Sequence, residues 1–223
     1  MIVSRDNERL KLVRKLHEKR WRDKLGLFFV EGEDAIAAAT AEPVDLLRAG
    51  DDVEPKLLAE IASAPHPPRV VGVYRRSDLP RWEECDATLA LWRLADPGNV
   101  GTLIRTADAF GAAAALSDGC ADPTSPKALR ASAGSIWRVP LGAWDDIGGR
   151  RIALEAHGGE PLESVDLSGR VSFLLGAERE GLASSVERDV NATIPIAGAE
   201  SLNVAASGAI ALYAKRCQTP KGV

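Results

Sequence analysis

The sequence predicts an α/β protein, a mostly parallel sheet preceded by a smaller α/β unit. Three observations predict it. Short apolar runs alternate with stretches of helical periodicity, which is the pattern of strands joined by crossover helices. The pattern runs twice, broken at SDLPRWEECD (77–86), a stretch without apolar periodicity. Runs such as ATLALWRL and VSFLLGAE are apolar throughout instead of alternating, which marks strands covered on both faces.

The first unit opens with a charged helix whose Leu10, Val13 and Leu16 give an apolar stripe. LFFVEG (27–32), VDLLRAG (44–50) and RVVGVY (69–74) follow as strands, with EDAIAAAT (33–40) and EPKLLAEIAS (54–63) as helices. SAPHPPR (63–69) is Pro-rich but lies inside the unit. From Ala87 the second unit reads as strand 87–94, helix 99–110, strand 112–119, helix 126–134 and strand WRVPL (137–141). Strands RRIALEAHG (150–158), VSFLLGAE (171–178) and TIPI (193–196) and a closing helix over 201–216 complete it. The expected domains are therefore 1–80 and 87–218, joined by 77–86.

Hydrophobic residues make up 45% and charged residues 27% of the 223-residue chain, ordinary for a globular protein that buries a core. Cys85, Cys120 and Cys217 are far apart and odd in number, and the three histidines are equally scattered. No zinc pattern or disulfide framework results, and a reducing, cytoplasmic setting is expected. The charged N-terminal stretch lacks a signal-peptide core, and no apolar run nears the roughly 18 residues of a membrane span. The net charge of −4 offers no global basic field. Locally the charge is polarised. The first thirty residues carry nine basic side chains against four acidic ones, and the next thirty carry two against nine. This pattern fits either a basic face presented from the N-terminus or a solvated helix face.

No dinucleotide GxGxxG, phosphate-loop GxxxxGK[ST] or nucleophile-elbow GxSxG motif is present. Three stretches stand out instead. In DPGNVGTLIRTADAFG (96–111), Arg105 falls off the apolar stripe, one turn from Gly101 and from Asp108. It is either half of a solvated pair with Asp108 or a functional cation. In LLGAEREGL (174–182) a strand ends at Gly176 and runs into Glu178, either a ligand-facing group or a helix-start carboxylate. In IPIAGAESLNVAASGAIALYAKR (194–216), Ser201 reads as an N-cap ahead of a small-residue helix, with Asn203 unexplained in its first turn.

These three stretches resemble, in order and spacing, the three motifs of the SpoU/TrmH-like RNA ribose 2′-O-methyltransferases of the SPOUT superfamily, over residues 88–216. SRDNERLKLVRKLHEKRWRDKLGLFFVEG (4–32) is similar, less specifically, to the ribosomal-L30e-like domain that binds substrate in many members. The resemblance implies a C-terminal trefoil knot that binds S-adenosylmethionine through backbone groups at Leu175, Gly176, Ile194, Pro195, Ile196, Ser201 and Leu202. It also implies a homodimer through the knot region. Arg105 takes the place of the arginine that activates the ribose hydroxyl, with Asn99, Glu178, Ser201 and Asn203 orienting it. Arg5, Lys15, Arg20 and Arg22 are the expected RNA contacts. Ribosomal RNA is the expected substrate and transfer RNA the alternative. Arg179 departs from the glycine frequent at its position. A catalytically silent RNA binder and a small-molecule methyltransferase stay open as other classes.

Overall fold

The computed structural model describes residues 1–63 and 66–218, so the Pro-rich stretch at 63–69 falls partly outside the described residues. Helix α1 (Glu8–Leu16) starts where the Asn7 side chain accepts from the Arg9 amide at 3.0 Å, and it buries the stripe Leu10, Val13 and Leu16. Helix α2 (Lys19–Leu25) stops at Gly26, whose φ of 63° is open to glycine without strain. Strands β1 (Leu27–Glu31), β2 (Asp45–Arg48) and β3 (Val70–Arg75) make an antiparallel sheet in the order β1-β3-β2. Helices α3 (Glu33–Ala37) and α4 (Pro55–Ile61) lie in its connections.

A second sheet contains β4 (Ala87–Leu91), β5 (Ala113–Leu116), β6 (Leu141–Ala143), β7 (Arg150–Glu155), β8 (Glu160–Pro161), β9 (Val171–Leu175) and β10 (Val190–Thr193). Its order is β6-β5-β4-β9-β7-β10-β8, and every pairing is parallel. The central strands β4 and β9 are buried along their whole length, as their unbroken apolar runs require. Helices α5 (Pro97–Phe110), α6 (Pro126–Ser132) and α7 (Val204–Gln218) accompany this sheet. A Cβ on Gly101 would stand 2.2 Å from the Ala128 carbonyl oxygen, so the bare backbone of α5 serves the α6 crossing. A Cβ on Gly208 would reach within 2.4 Å of Leu103, which accounts for one of the small residues of α7 by packing on α5.

Three local expectations need correction. WRVPL is not a strand: Ser135–Trp137 form a 3-10 turn and β6 begins only after Pro140, which has no amide to give a ladder. TIPI is displaced likewise. β10 lies between β7 and β8, and it ends at Thr193 because Pro195 cannot sit inside an interior strand. The closing helix starts at Val204, not at Ser201. Its cap is Asn203, whose Oδ1 accepts from the Ala205 amide at 2.8 Å and the Ala206 amide at 3.4 Å.

The two halves share side chains. Trp137 packs on Phe28 and Tyr74, with ring centroids 5.6 and 4.8 Å apart, so the first unit's β1 and β3 join the core of the second. Trp82, within the expected linker, fills the place where a Cβ on Gly142 would stand, and Glu84 pairs with Arg170. No helix among the described residues is long and apolar enough to cross a membrane.

Candidate active site

A cavity of about 620 Å³ opens at the carboxyl ends of β7, β9 and β10, where open parallel sheets hold their ligands. Leu175 and Gly176 form one wall, Ile194 and Ile196 another, and Ser201 to Val204 the approach to α7. Pro195 is exposed and does not line the cavity, because in this extended stretch it points away from the side that Ile194 and Ile196 share. Gly176 is required by the chain itself. A Cβ there would lie 2.3 Å from the Gly181 carbonyl carbon, because a tight turn returns over it. The amides of Ala177 and Gly181 donate to each other's carbonyls at 3.1 and 2.9 Å, and the turn between them lifts Glu178, Arg179 and Glu180 to the rim.

Between Ile194 and Leu202 the backbone has left the sheet and not yet entered α7. Among the described residues, none of its amides donates to a protein acceptor. These donors beside apolar Leu175, Ile194, Ile196 and Leu202 suit a nucleoside-like molecule held through the main chain, and the volume falls in the usual range for such ligands. S-adenosylmethionine fits this donor set.

At the mouth, three side chains distant in sequence join in one chain. Asn203 Nδ2 donates to Asn99 Oδ1 at 3.2 Å, and Asn99 Nδ2 donates to Glu178 Oε1 at 3.0 Å. Asn203 thus caps α7 and orients Asn99 together, which explains why asparagine stands there. Asn99 is presented by the first turn of α5, which Asp96 starts by accepting from the Gly98 amide at 2.7 Å. Ser201 lines the cavity but caps nothing.

Arg105 is exposed on α5 and makes no ion pair or hydrogen bond among the described residues. The pairing with Asp108 is not formed: Asp108 is taken by Arg138 and by Ser135, which donates at 2.7 Å. Burial pushes the Asp108 carboxyl upward, but these two donors hold it below its ordinary value. Arg105 does not line the cavity. It lies on the exposed stripe of α5 with Thr102, Ala109 and Phe110. Ile210 and Tyr213 of α7 are exposed apolar groups of the same kind.

Of the expected RNA contacts, Lys15 and Arg20 gather at Trp21, 5.3 and 5.6 Å from its ring centroid. Lys24, which sequence reasoning passed over, joins them at 5.1 Å, and a cation every four or so residues around Trp21 was the signal for it. Arg5 is exposed but paired with Glu60. Arg22 is a correction. Only 3% exposed, it donates to Asp122 and to the Leu16 and His17 carbonyls, each at 2.8 Å, because its side of α2 faces the protein.

The parallel sheet, the backbone-lined cavity at its carboxyl edge and the polar chain at the mouth define an α/β enzyme with a site for a nucleoside-like cofactor. Residues 86–213 match the model of the SpoU rRNA methylase family. The chain is 30% identical to an AdoMet-bound rRNA methyltransferase from Sinorhizobium meliloti, with a TM-score of 0.86 over 99% of this chain and 98% of that one. A 23S rRNA guanosine 2′-O-methyltransferase of Bacillus subtilis is 29% identical over 95% of this chain and 97% of its own. An uncharacterized tRNA/rRNA methyltransferase of Synechocystis is 32% identical over 97% and 93%. The chain belongs to the SpoU rRNA methylase family and is an RNA methyltransferase.

Proposed function

We propose that the protein transfers a methyl group from S-adenosylmethionine to a ribose 2′-hydroxyl of RNA, ribosomal RNA first and transfer RNA as the second reading. The observation that carries the proposal is the chain Asn203–Asn99–Glu178, which ties the three matched motifs together at the mouth of the cavity. When bound, the cofactor supplies an electrophilic methyl group on a sulfonium. Backbone groups at Leu175, Gly176, Ile194, Ile196, Ser201 and Leu202 would hold it. Arg105 stabilises the alkoxide that develops as the hydroxyl attacks. Its fixed N–H donors do this with the cation intact, and the hydroxyl proton leaves to water. Asn99, Glu178 and Asn203 act as positioning residues.

Arg105 reaches a cavity through a second copy in this reading. The exposed faces of α5 and α7 carry Phe110, Ile210 and Tyr213, and a homodimer that covers them places Arg105 at the seam. The C-terminal knot and the role of residues 1–80 as the RNA-reading unit belong to the same proposal. The passage of the chain from β9 to β10 beyond β7 supports the first, and the cations around Trp21 support the second.

The test is transfer of labelled methyl from S-adenosylmethionine to unmodified ribosomal and transfer RNA, separated afterwards and digested to nucleosides. Label in 2′-O-methylribose of the ribosomal fraction is expected. Arg105→Ala should lower the rate about 10²- to 10³-fold while cofactor affinity stays within a few-fold. Near-wild-type turnover of that variant sinks the arginine assignment.

A further inference from the structure

A second cavity, of about 580 Å³, lies at the carboxyl ends of β4, β5 and β6, on the same edge of the sheet as the first. Trp92 and Trp144, which directly follow β4 and β6, line it edge-to-face with ring centroids 4.9 Å apart. Both are half-buried, so ring surface remains open to the cavity. The two cavities share a wall. The segment 176–189 lines the first through Gly176 to Gly181 and the second through Ser185 to Glu187. Trp92 is tied to the first by its amide, which donates to the Leu175 carbonyl at 2.8 Å.

Beside Trp92 stands Arg93, with φ of +53°. Only two non-glycine residues among those described have a positive φ, and a long side chain there is strained where glycine is not. The conformation is imposed from both sides: the Arg93 amide donates to Ser117 Oγ at 2.8 Å, and the Leu94 carbonyl accepts from the Ala121 amide at 2.7 Å. The side chain runs over Gly119, where a Cβ would lie 3.4 Å from Nε. It is exposed, and it forms no ion pair among the described residues. Packing therefore does not account for an arginine at a position suited to glycine.

We propose that this cavity is a second RNA subsite, taking an unpaired nucleotide near the one that is methylated, with its base against Trp92 and Trp144 and its phosphate on Arg93. The inference rests on the RNA reading of the first cavity. The charges divide the nucleotide in this way. Asp118 and Asp145 line the cavity, and its Arg151 is engaged by Glu187 at 3.1 Å, so the interior repels phosphate. The same carboxylates accept from the N–H groups of a base edge. Arg93, outside the lining, is the cation left for the backbone. Bases splayed from their stack onto aromatic rings are the usual way in which single-stranded RNA is read.

The test uses a labelled, mixed-sequence single-stranded RNA 12-mer and the full chain as wild type, Arg93→Gly and Trp144→Leu. Arg93→Gly suits the backbone, so its Tm should equal or exceed that of wild type. Its RNA affinity should fall roughly fivefold, with the slope of log K against log salt shallower by about one. Trp144→Leu should weaken binding roughly tenfold, the cost of one lost base stack. Affinity for S-adenosylmethionine should be unchanged in both. Wild-type RNA affinity in both variants overturns the subsite, whatever the methyl-transfer assay reports. RNA binding that weakens as expected in a protein that transfers no methyl group overturns the activity reading and leaves the subsite standing.

Discussion

Replacing Asp122 with alanine tests how the two halves of the chain are held. Asp122 follows β5, and its carboxylate accepts from Arg22 Nε at 2.8 Å and Arg76 Nη2 at 2.6 Å. Thr124 adds its amide at 2.9 Å and its hydroxyl at 2.7 Å. The Arg22 and Asp122 side chains are 3% and 6% exposed, so this is a buried pair and not a surface one. Breaking such a pair from one side leaves an uncompensated buried charge, at about 3–5 kcal/mol. Arg76 does not add fully to that cost, because it is more open and keeps Asp23 at 2.7 Å. For a chain of this size the loss corresponds to roughly 6 °C or more in Tm. Urea unfolding followed by circular dichroism measures it. The double variant Arg22→Met, Asp122→Leu should recover most of the loss, because no charge is then stranded. A loss below about 1 kcal/mol in Asp122→Ala, or a double variant no better than the single, refutes the reasoning.

Burial alone pushes the Asp122 carboxyl upward, but hydrogen bonds from Thr124 and Arg22 and the charge of Arg76 hold it below its ordinary value of 3.8. Its contribution is thus complete above that value and should be lost as pH falls through the depressed one, which an acid titration of unfolding free energy reads in wild type against Asp122→Ala. Gly101→Ala should destabilise by about 1–3 kcal/mol in urea, because its Cβ meets the Ala128 carbonyl and α5 must shift from α6. Asn203→Ala removes a helix cap worth about 1 kcal/mol and frees Asn99 and Glu178. Its methyl-transfer rate should fall further than a cap loss of that size predicts, whereas Ser201→Ala should leave Tm unchanged. Ile210→Lys should shift the sedimentation of the proposed dimer to that of one chain, and an unchanged value would remove α7 from the interface.

The strand and helix order was legible because continuous apolar runs and 3.6-residue periodicity are written into residues such as Leu89 to Leu91 and Val100 to Ala107. What stayed hidden depends on which way a side chain faces. Arg20 and Arg22 are two residues apart on a helix shorter than the periodicity can orient, so one lies on Trp21 and the other inside. The single prolines of two short apolar runs mattered more than their hydropathy: Pro140 and Pro195 set where β6 begins and where β10 stops. The hydrogen-bond chain of Asn203, Asn99 and Glu178 spans 104 residues, and only the motif resemblance brought its members together. Local propensity contains one clue to it, Asn203, a poor helix former whose place proved to be the cap.

Trp137 carries a consequence for any attempt to exchange the N-terminal half of this protein for another. The composition of residues 77–86 invites a cut there, yet an incoming module would have to present its own counterparts of Phe28 and Tyr74 to that indole. It would also have to bring a cation to Asp122. The N-terminal half is thus keyed to this scaffold, and grafting would succeed only with donors that carry the same lock.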